Sequence, residues 1–126
     1  MFFRKANRID NRIDTLIGAN TRVEGNMQYS SGLRVDGTIK GSVTQANGSQ
    51  CTLILSEAGS IEGEVTAAKI VINGKITGPV HASEFIELQT KARIVGDLYY
   101  KSLEMHTGAV IEGKLVYIGD NPAEDA

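Results

Sequence analysis

The sequence has one cysteine, two prolines and no tryptophan, and aromatic residues make up only 6% of its 126 residues. The single thiol, Cys51, excludes an intrachain disulfide and suits a reducing compartment. No apolar run is long enough for a signal-peptide core or a membrane-spanning helix. We therefore expect a cytoplasmic protein that does not cross a membrane.

A strong net charge is also missing, because 13 basic and 15 acidic residues give −2 at pH 7. This balance makes nucleic acid an unlikely partner on charge grounds. The charge is unevenly placed, however: residues 1–14 carry four basic and two acidic residues, and residues 119–126 carry three acidic ones. We predict disordered tails over 1–14 and 119–126 around one balanced domain, 15–118.

Glycine is abundant, with 14 residues, and six of these glycines share one context. Each is the centre of a pentapeptide with apolar residues at both ends, and successive pentapeptides start 16, 22, 15, 18 and 17 residues apart. The six copies are VEGNM, IKGSV, IEGEV, ITGPV, IVGDL and IEGKL. We predict a structural role for their glycines, which are Gly25, Gly41, Gly63, Gly78, Gly96 and Gly113.

A second apolar residue precedes each pentapeptide, separated from it by either five or three residues. In IVINGKITGPV (70–80), apolar residues alternate with polar ones at the period of a half-buried strand. A unit of about 17 residues with two discrete corner lengths is typical of one coil of a β-solenoid. We therefore predict an all-β solenoid of about six coils. The alternative is an antiparallel sandwich or barrel in which the Asp-Gly and Asn-Gly pairs form hairpin turns.

The order of these motifs resembles the bactofilins, a family of bacterial polymer-forming cytoskeletal proteins. The resemblance rests on TLIGANTRVEGNMQYSSGLRVDGTIKGSV (15–43), IEGEVTAAKIVINGKITG and LEMHTGAVIEGKL, and it covers residues 15–117. It implies a right-handed β-helix that polymerises end to end into nucleotide-independent, non-polar filaments. It also implies a scaffold for cell-shape or envelope proteins at the inner face of the cytoplasmic membrane.

The ends of a solenoid favour self-association independently of this resemblance. Terminal coils expose unpaired backbone groups and apolar core residues unless a polar cap covers them. No amphipathic capping helix is evident in the sequence, so another copy of the chain is the expected partner. The predicted polymerisation interface comprises Leu16, Ile17 and Val23 in the first coil and Leu103, Met105, Ile111, Leu115 and Tyr117 in the last.

The first five residues, MFFRK, suit a peripheral membrane anchor. Aromatic rings can enter the acyl boundary while neighbouring cations meet anionic lipid. Many family members carry such a segment, so the resemblance supports this interpretation. We predict membrane targeting by Met1, Phe2, Phe3, Arg4 and Lys5.

No motif in the sequence predicts catalysis, a cofactor or a metal. The glycines fit neither GxGxxG nor GxxxxGK[ST], so no nucleotide site is expected. His81 and His106 have no neighbours at ligand spacing, and Cys51 has no evident base to activate it. Of the adjacent Tyr99 and Tyr100, one must face outward from a strand, where it could contact a protein.

Two other solenoid classes remain as alternatives. A hexapeptide-repeat acyltransferase on a left-handed β-helix also has apolar residues and glycine at short intervals, but it keeps a stricter six-residue period. An ice- or polysaccharide-binding solenoid needs a flat, regular ladder such as Thr-x-Thr, and none is visible.

Overall fold

Neighbouring strands in this chain belong to successive coils and run parallel. The computed structural model of the chain describes residues 13–46 and 50–119. Every strand pairing within these residues is parallel. The antiparallel sandwich or barrel is therefore wrong, and the predicted all-β solenoid of about six coils is confirmed.

The coils contain sixteen strands. Most strands have three or four residues, and two are longer. In chain order they are β1 (Thr15–Ile17), β2 (Arg22–Glu24), β3 (Met27–Tyr29), β4 (Gly32–Val35), β5 (Thr38–Lys40), β6 (Val43–Gln45), β7 (Thr52–Leu55), β8 (Ser60–Glu62), β9 (Val65–Ile72), β10 (Lys75–Thr77), β11 (Val80–Leu88), β12 (Arg93–Val95), β13 (Leu98–Tyr100), β14 (Leu103–Met105), β15 (Val110–Glu112) and β16 (Leu115–Tyr117).

The strands form three faces around the core. Face 1 consists of β1, β4, β7, the second halves of β9 and β11, and β14. Face 2 is a separate six-stranded sheet of β2, β5, β8, β10, β12 and β15. Face 3 consists of β3, β6, the first halves of β9 and β11, β13 and β16. Faces 1 and 3 join because β9 and β11 continue around a corner, where the β9–β11 register shifts between Ala82 and Phe85.

Alternate residues of each strand point inward and stack on their counterparts in adjacent coils. The middle coils bury these side chains fully, in columns that include Leu33, Leu53, Ile70 and Ile86 on face 1 and Ile39, Ile61, Ile76 and Ile94 on face 2. Burial of each such side chain contributes roughly 1.5–3 kcal/mol. One coil alone has no partner for these side chains, so stacking of coils creates the core.

The Asn73-Gly74 pair forms a corner between faces 1 and 2. It connects β9 to β10, which lie in different sheets and do not pair with each other. The Asn73 side chain accepts a hydrogen bond at Oδ1 from the backbone N–H of Lys91, one coil later, at 2.9 Å. The Asn-Gly signal thus correctly indicates a tight turn, but the turn leads to a new face.

The repeated glycines form a column at another corner, between faces 2 and 3. Gly63 has φ +151°, a conformation that favours glycine, and a Cβ atom there would collide with the carbonyl oxygen of Gly41 in the preceding coil. The same collision with the preceding glycine recurs at Gly41, Gly78, Gly96 and Gly113. Close stacking of backbone at this corner therefore leaves no room for a side chain.

Candidate assembly interface

The C-terminal coil exposes core-type side chains at the end of the solenoid. Met105, Leu115 and Tyr117 occupy inward columns but are 45%, 50% and 64% exposed. Leu103 and Ile111, in the other inward columns, are half-buried. A further coil placed here would bury all five side chains, so this surface has the composition of an unfinished core.

The N-terminal coil exposes less of its core. Ile17 and Tyr29 point inward and are only 9% and 8% exposed, and Val23 is half-buried. Leu16 is 58% exposed, but it lies between Thr15 and Ile17 in the outward register of β1, on the side of the solenoid. The structure thus brings Ile17 and Val23 to the end of the solenoid and places Leu16 on face 1 beside that end.

Both ends also present strand edges. Within the described residues, β1, β2 and β3 pair only with the second coil, through β4, β5 and β6. Likewise, β14, β15 and β16 pair only with β11, β12 and β13. The outer edges therefore retain backbone groups that another strand can satisfy. The described residues contain no helix that could cap either end.

Face 2 of the solenoid differs from the ends. Face 2 carries mainly polar or charged outward residues, including ion pairs between Arg22 and Glu24 and between Arg93 and Glu112. Such a surface discourages apolar association. The ends are therefore better candidates than face 2 for contact with another copy.

On face 3, Tyr99 and Tyr100 have different environments. Tyr99 is in the outward register, and its ring stacks on that of His81 with centroids 4.5 Å apart. Tyr100 packs against the core, and its ring lies 5.9 Å from that of Tyr117 in the last coil. The outward tyrosine is therefore partly engaged by its own chain, and the inward one extends the core toward the exposed end.

A cluster of Glu87, Glu104 and His106 on face 1 was missed by the sequence analysis. His106 Nε2 lies 2.9 Å from Glu87 Oε2 and 3.3 Å from Glu104 Oε2. Glu87 is in the preceding coil, so spacing in the sequence does not reveal the contact. The alignment of the two coils reveals the contact, because Leu88 pairs with Met105 and Glu87 therefore lies beside Glu104.

The interior polar groups have structural roles. The Tyr29 hydroxyl donates a hydrogen bond to the backbone carbonyl of Thr66 at 3.0 Å. Burial raises the pKa of the Tyr29 phenol, and nearby Cys51 adds to this rise. The Cys51 thiol is buried and donates to the Tyr29 carbonyl oxygen at 3.6 Å, so it is poorly placed to attack a substrate.

The predicted membrane-targeting residues Met1, Phe2, Phe3, Arg4 and Lys5 lie outside the described residues. Within the part that the structure describes, no helix is long and apolar enough to cross a membrane.

Parallel coils, a continuous core and outer strand edges at both ends of the described residues define a β-solenoid suited to stacking. Comparison with known proteins agrees: the family described as "Bactofilin: Polymer-forming cytoskeletal" matches residues 15–116. The chain belongs to the bactofilin family. It is therefore a structural protein rather than an enzyme, which rules out the acyltransferase alternative.

Two curated relatives come from Myxococcus xanthus (strain DK1622). Bactofilin BacO is 28% identical over 102 residues, which cover 81% of this chain and 78% of BacO. Bactofilin BacP is 27% identical over 115 residues, which cover 91% of this chain but 45% of BacP. Among solved structures, the Thermus thermophilus bactofilin in double helical filaments matches with a TM-score of 0.71 and 31% identity. That match covers 80% of this chain and 98% of the other.

Proposed function

We propose that this chain polymerises end to end into non-polar, nucleotide-independent filaments at the inner face of the cytoplasmic membrane. The filament then acts as a scaffold that positions cell-shape or envelope proteins. The observation that carries this proposal is the C-terminal coil, whose exposed Met105, Leu115 and Tyr117 continue buried columns of the core. The double helical filament of the T. thermophilus relative supports filament formation.

The unequal ends support a non-polar filament. The C-terminal end exposes more apolar surface than the N-terminal end, where Ile17 and Tyr29 are already buried. Two C-terminal ends that meet about a twofold axis would bury the largest apolar area, and each exposed side chain would face the same surface of its partner. The N-terminal ends then meet each other, and the two contacts alternate along the filament.

Assembly needs no nucleotide in this proposal, because apolar burial and strand pairing supply the driving force. Negative-stain electron microscopy of the purified full-length protein, without nucleotide, tests this directly. We expect filaments of slender subunits in moderate salt. Discrete monomers or small oligomers under several salt conditions would contradict end-to-end assembly.

Membrane attachment rests on the sequence of residues 1–5. Two phenylalanines and two cations bind anionic lipid weakly in one chain, but a filament presents many copies and gains avidity. The wild-type filament should therefore sediment with anionic vesicles, whereas a variant with Phe2 and Phe3 changed to alanine should not sediment with them. Equal sedimentation of both filaments would refute the anchor, and electron microscopy of the variant checks that assembly itself is intact.

A further inference from the structure

The Glu87, Glu104 and His106 cluster offers three metal-binding atoms from two adjacent coils. Each residue contributes one ligand atom, and the three atoms lie within 4.8 Å of one another. His106 Nε2 is 2.9 Å from Glu87 Oε2 and 3.3 Å from Glu104 Oε2. The donors therefore converge on one point of face 1.

The cluster places like charges side by side. Glu87 and Glu104 are direct partners in the parallel pairing of β11 with β14, an arrangement that is unfavourable for two carboxylates. Earlier coils place Ile54 and Val71 in this outward column, so the paired acids occur only near its C-terminal end. Gln89 Nε2 donates to Glu87 Oε2 at 3.5 Å, but a neutral amide does not cancel the charge.

The imidazole supplies the nitrogen donor of the cluster. His106 Nε2 is buried and forms no hydrogen bond within the described residues, although both carboxylate oxygens are close. A metal ion bound at Nε2 would have both carboxylate oxygens close enough to bind the same ion.

The separations also suit a small divalent ion. With Zn–N and Zn–O bonds of about 2.0–2.2 Å, tetrahedral ligands lie roughly 3.4 Å apart. The 3.3 Å from Nε2 to Glu104 Oε2 is close to this value, and the 2.9 Å to Glu87 Oε2 would lengthen by about 0.5 Å when an ion binds. One imidazole and two carboxylates form a donor set that suits zinc and other first-row transition metals.

We propose that Glu87, Glu104 and His106 bind one divalent transition-metal ion, with zinc as the reference ion. The ion neutralises the paired carboxylates and connects the last coil to the coil before it. The side chains of His106 and Glu104 are 38% and 59% exposed, so an ion can reach the site from solvent. Three protein ligands leave a coordination position for water or for a donor from a neighbouring chain.

Cobalt(II) serves as the probe because its visible absorption reports ligand number and geometry. Untagged full-length protein is titrated with Co²⁺ beside a His106→Gln variant and a matched His81→Gln variant. Among the described residues, His81 pairs with one carboxylate, that of Glu64 at 3.2 Å, and with no second one. We expect about one tightly bound ion per chain in the wild type and in His81→Gln, and affinity at least about tenfold weaker in His106→Gln.

A second variant, Glu104→Gln, keeps the shape of an exposed side chain and should also weaken binding at least about tenfold. Far-ultraviolet circular dichroism of each variant establishes that the solenoid is folded. Equal cobalt affinity in the wild type and in folded His106→Gln would overturn the site. An equal loss in His81→Gln would overturn it too, because binding would then not depend on the three-residue cluster. The test does not depend on filament formation.

Discussion

The two end coils use the same columns of the core but leave them covered to different extents. Ile17 and Met105 occupy one inward column, yet their exposed fractions are 9% and 45%. Tyr29 and Tyr117 occupy another, with 8% and 64%. The position of a coil at an end of the solenoid therefore does not by itself determine how exposed its core side chains are.

This difference in exposure distinguishes apolar surface that stabilises the folded chain from apolar surface that is available for assembly. The middle coils obtain their stability by burying apolar side chains within one chain, whereas the C-terminal coil leaves much of its apolar surface exposed. If both ends were equally bare, head-to-tail stacking would be as favourable as contact between like ends. In the filament that we propose, this inequality favours a strong C-terminal contact and a weaker N-terminal one.

Blocking one end at a time gives the largest expected effect. Leu115→Arg places a charge in the C-terminal contact, where its burial is costly, and should abolish filaments. Val23→Arg should do the same at the N-terminal end. In a non-polar filament each variant retains one intact like-with-like contact. Size-exclusion chromatography with light scattering should then find dimers for both variants. The Leu115→Arg dimer should dissociate after less dilution than the Val23→Arg dimer, because it is held together by the weaker, N-terminal contact.

The same experiment distinguishes polar assembly. In a head-to-tail filament every contact uses both kinds of end, so each variant alone would be a monomer. Lys40→Arg, an exposed charge-conserving change on face 2, serves as the control and should form filaments like the wild type. Monomers from both blocked variants would contradict the non-polar arrangement.

Much of the fold was predictable from the sequence because its signals are local and repeated. The glycine pentapeptides recur once per coil, and the two corner lengths mark turns between faces. Apolar alternation in residues 70–80 predicts the inward residues at the end of β9 and in β10. A repeat unit that must stack on its neighbours leaves few other arrangements for these features.

The candidate site was less predictable because it depends on the strand register between coils and on how much of each end is buried. Leu16 and Ile17 are both apolar and adjacent, but only the strand register shows that Leu16 points outward. The contact of Glu87 with His106 requires knowing which residues align between coils. Periodicity also does not express how far Ile17 is buried at an end, where its side chain is 9% exposed.

Truncation of a middle-coil side chain should destabilise the protein far more than truncation of its end-coil counterpart. Ile70 is fully buried, whereas Leu103, in the same column, is half-buried. In a Leu115→Arg background, Ile70→Ala should lower the free energy of unfolding by roughly 2–5 kcal/mol because it leaves a cavity. Leu103→Ala should cost about 1 kcal/mol, since solvent already reaches that site. Urea unfolding followed by circular dichroism measures both, and equal losses would contradict the packing described.

The glycine column offers a similar test with a smaller expected difference. Gly63→Ala combines a positive φ with a collision against Gly41, and it should cost about 3 kcal/mol. Gly25 also has a positive φ, +126°, but a Cβ there meets nothing within 4 Å. Gly25→Ala should therefore cost only about 1 kcal/mol from backbone strain. The same urea measurements compare the two, and a larger loss at Gly25 would show that strain rather than coil stacking governs this corner.

The smallest expected effect concerns Tyr29 and Tyr117, which occupy one inward column at opposite ends of the solenoid. Tyr29→Phe removes the hydrogen bond to the Thr66 carbonyl and should cost about 1 kcal/mol at neutral pH, whereas the exposed Tyr117→Phe should cost almost nothing.

The raised pKa of Tyr29 also predicts that the protein loses stability at alkaline pH. Above about pH 10 the unfolded phenol loses its proton while the folded one keeps it, so stability falls as pH rises. Tyr29→Phe should remove that part of the fall, and Tyr117→Phe should not. Parallel slopes of stability against pH in the wild type and Tyr29→Phe would show that the buried phenol is not the group responsible.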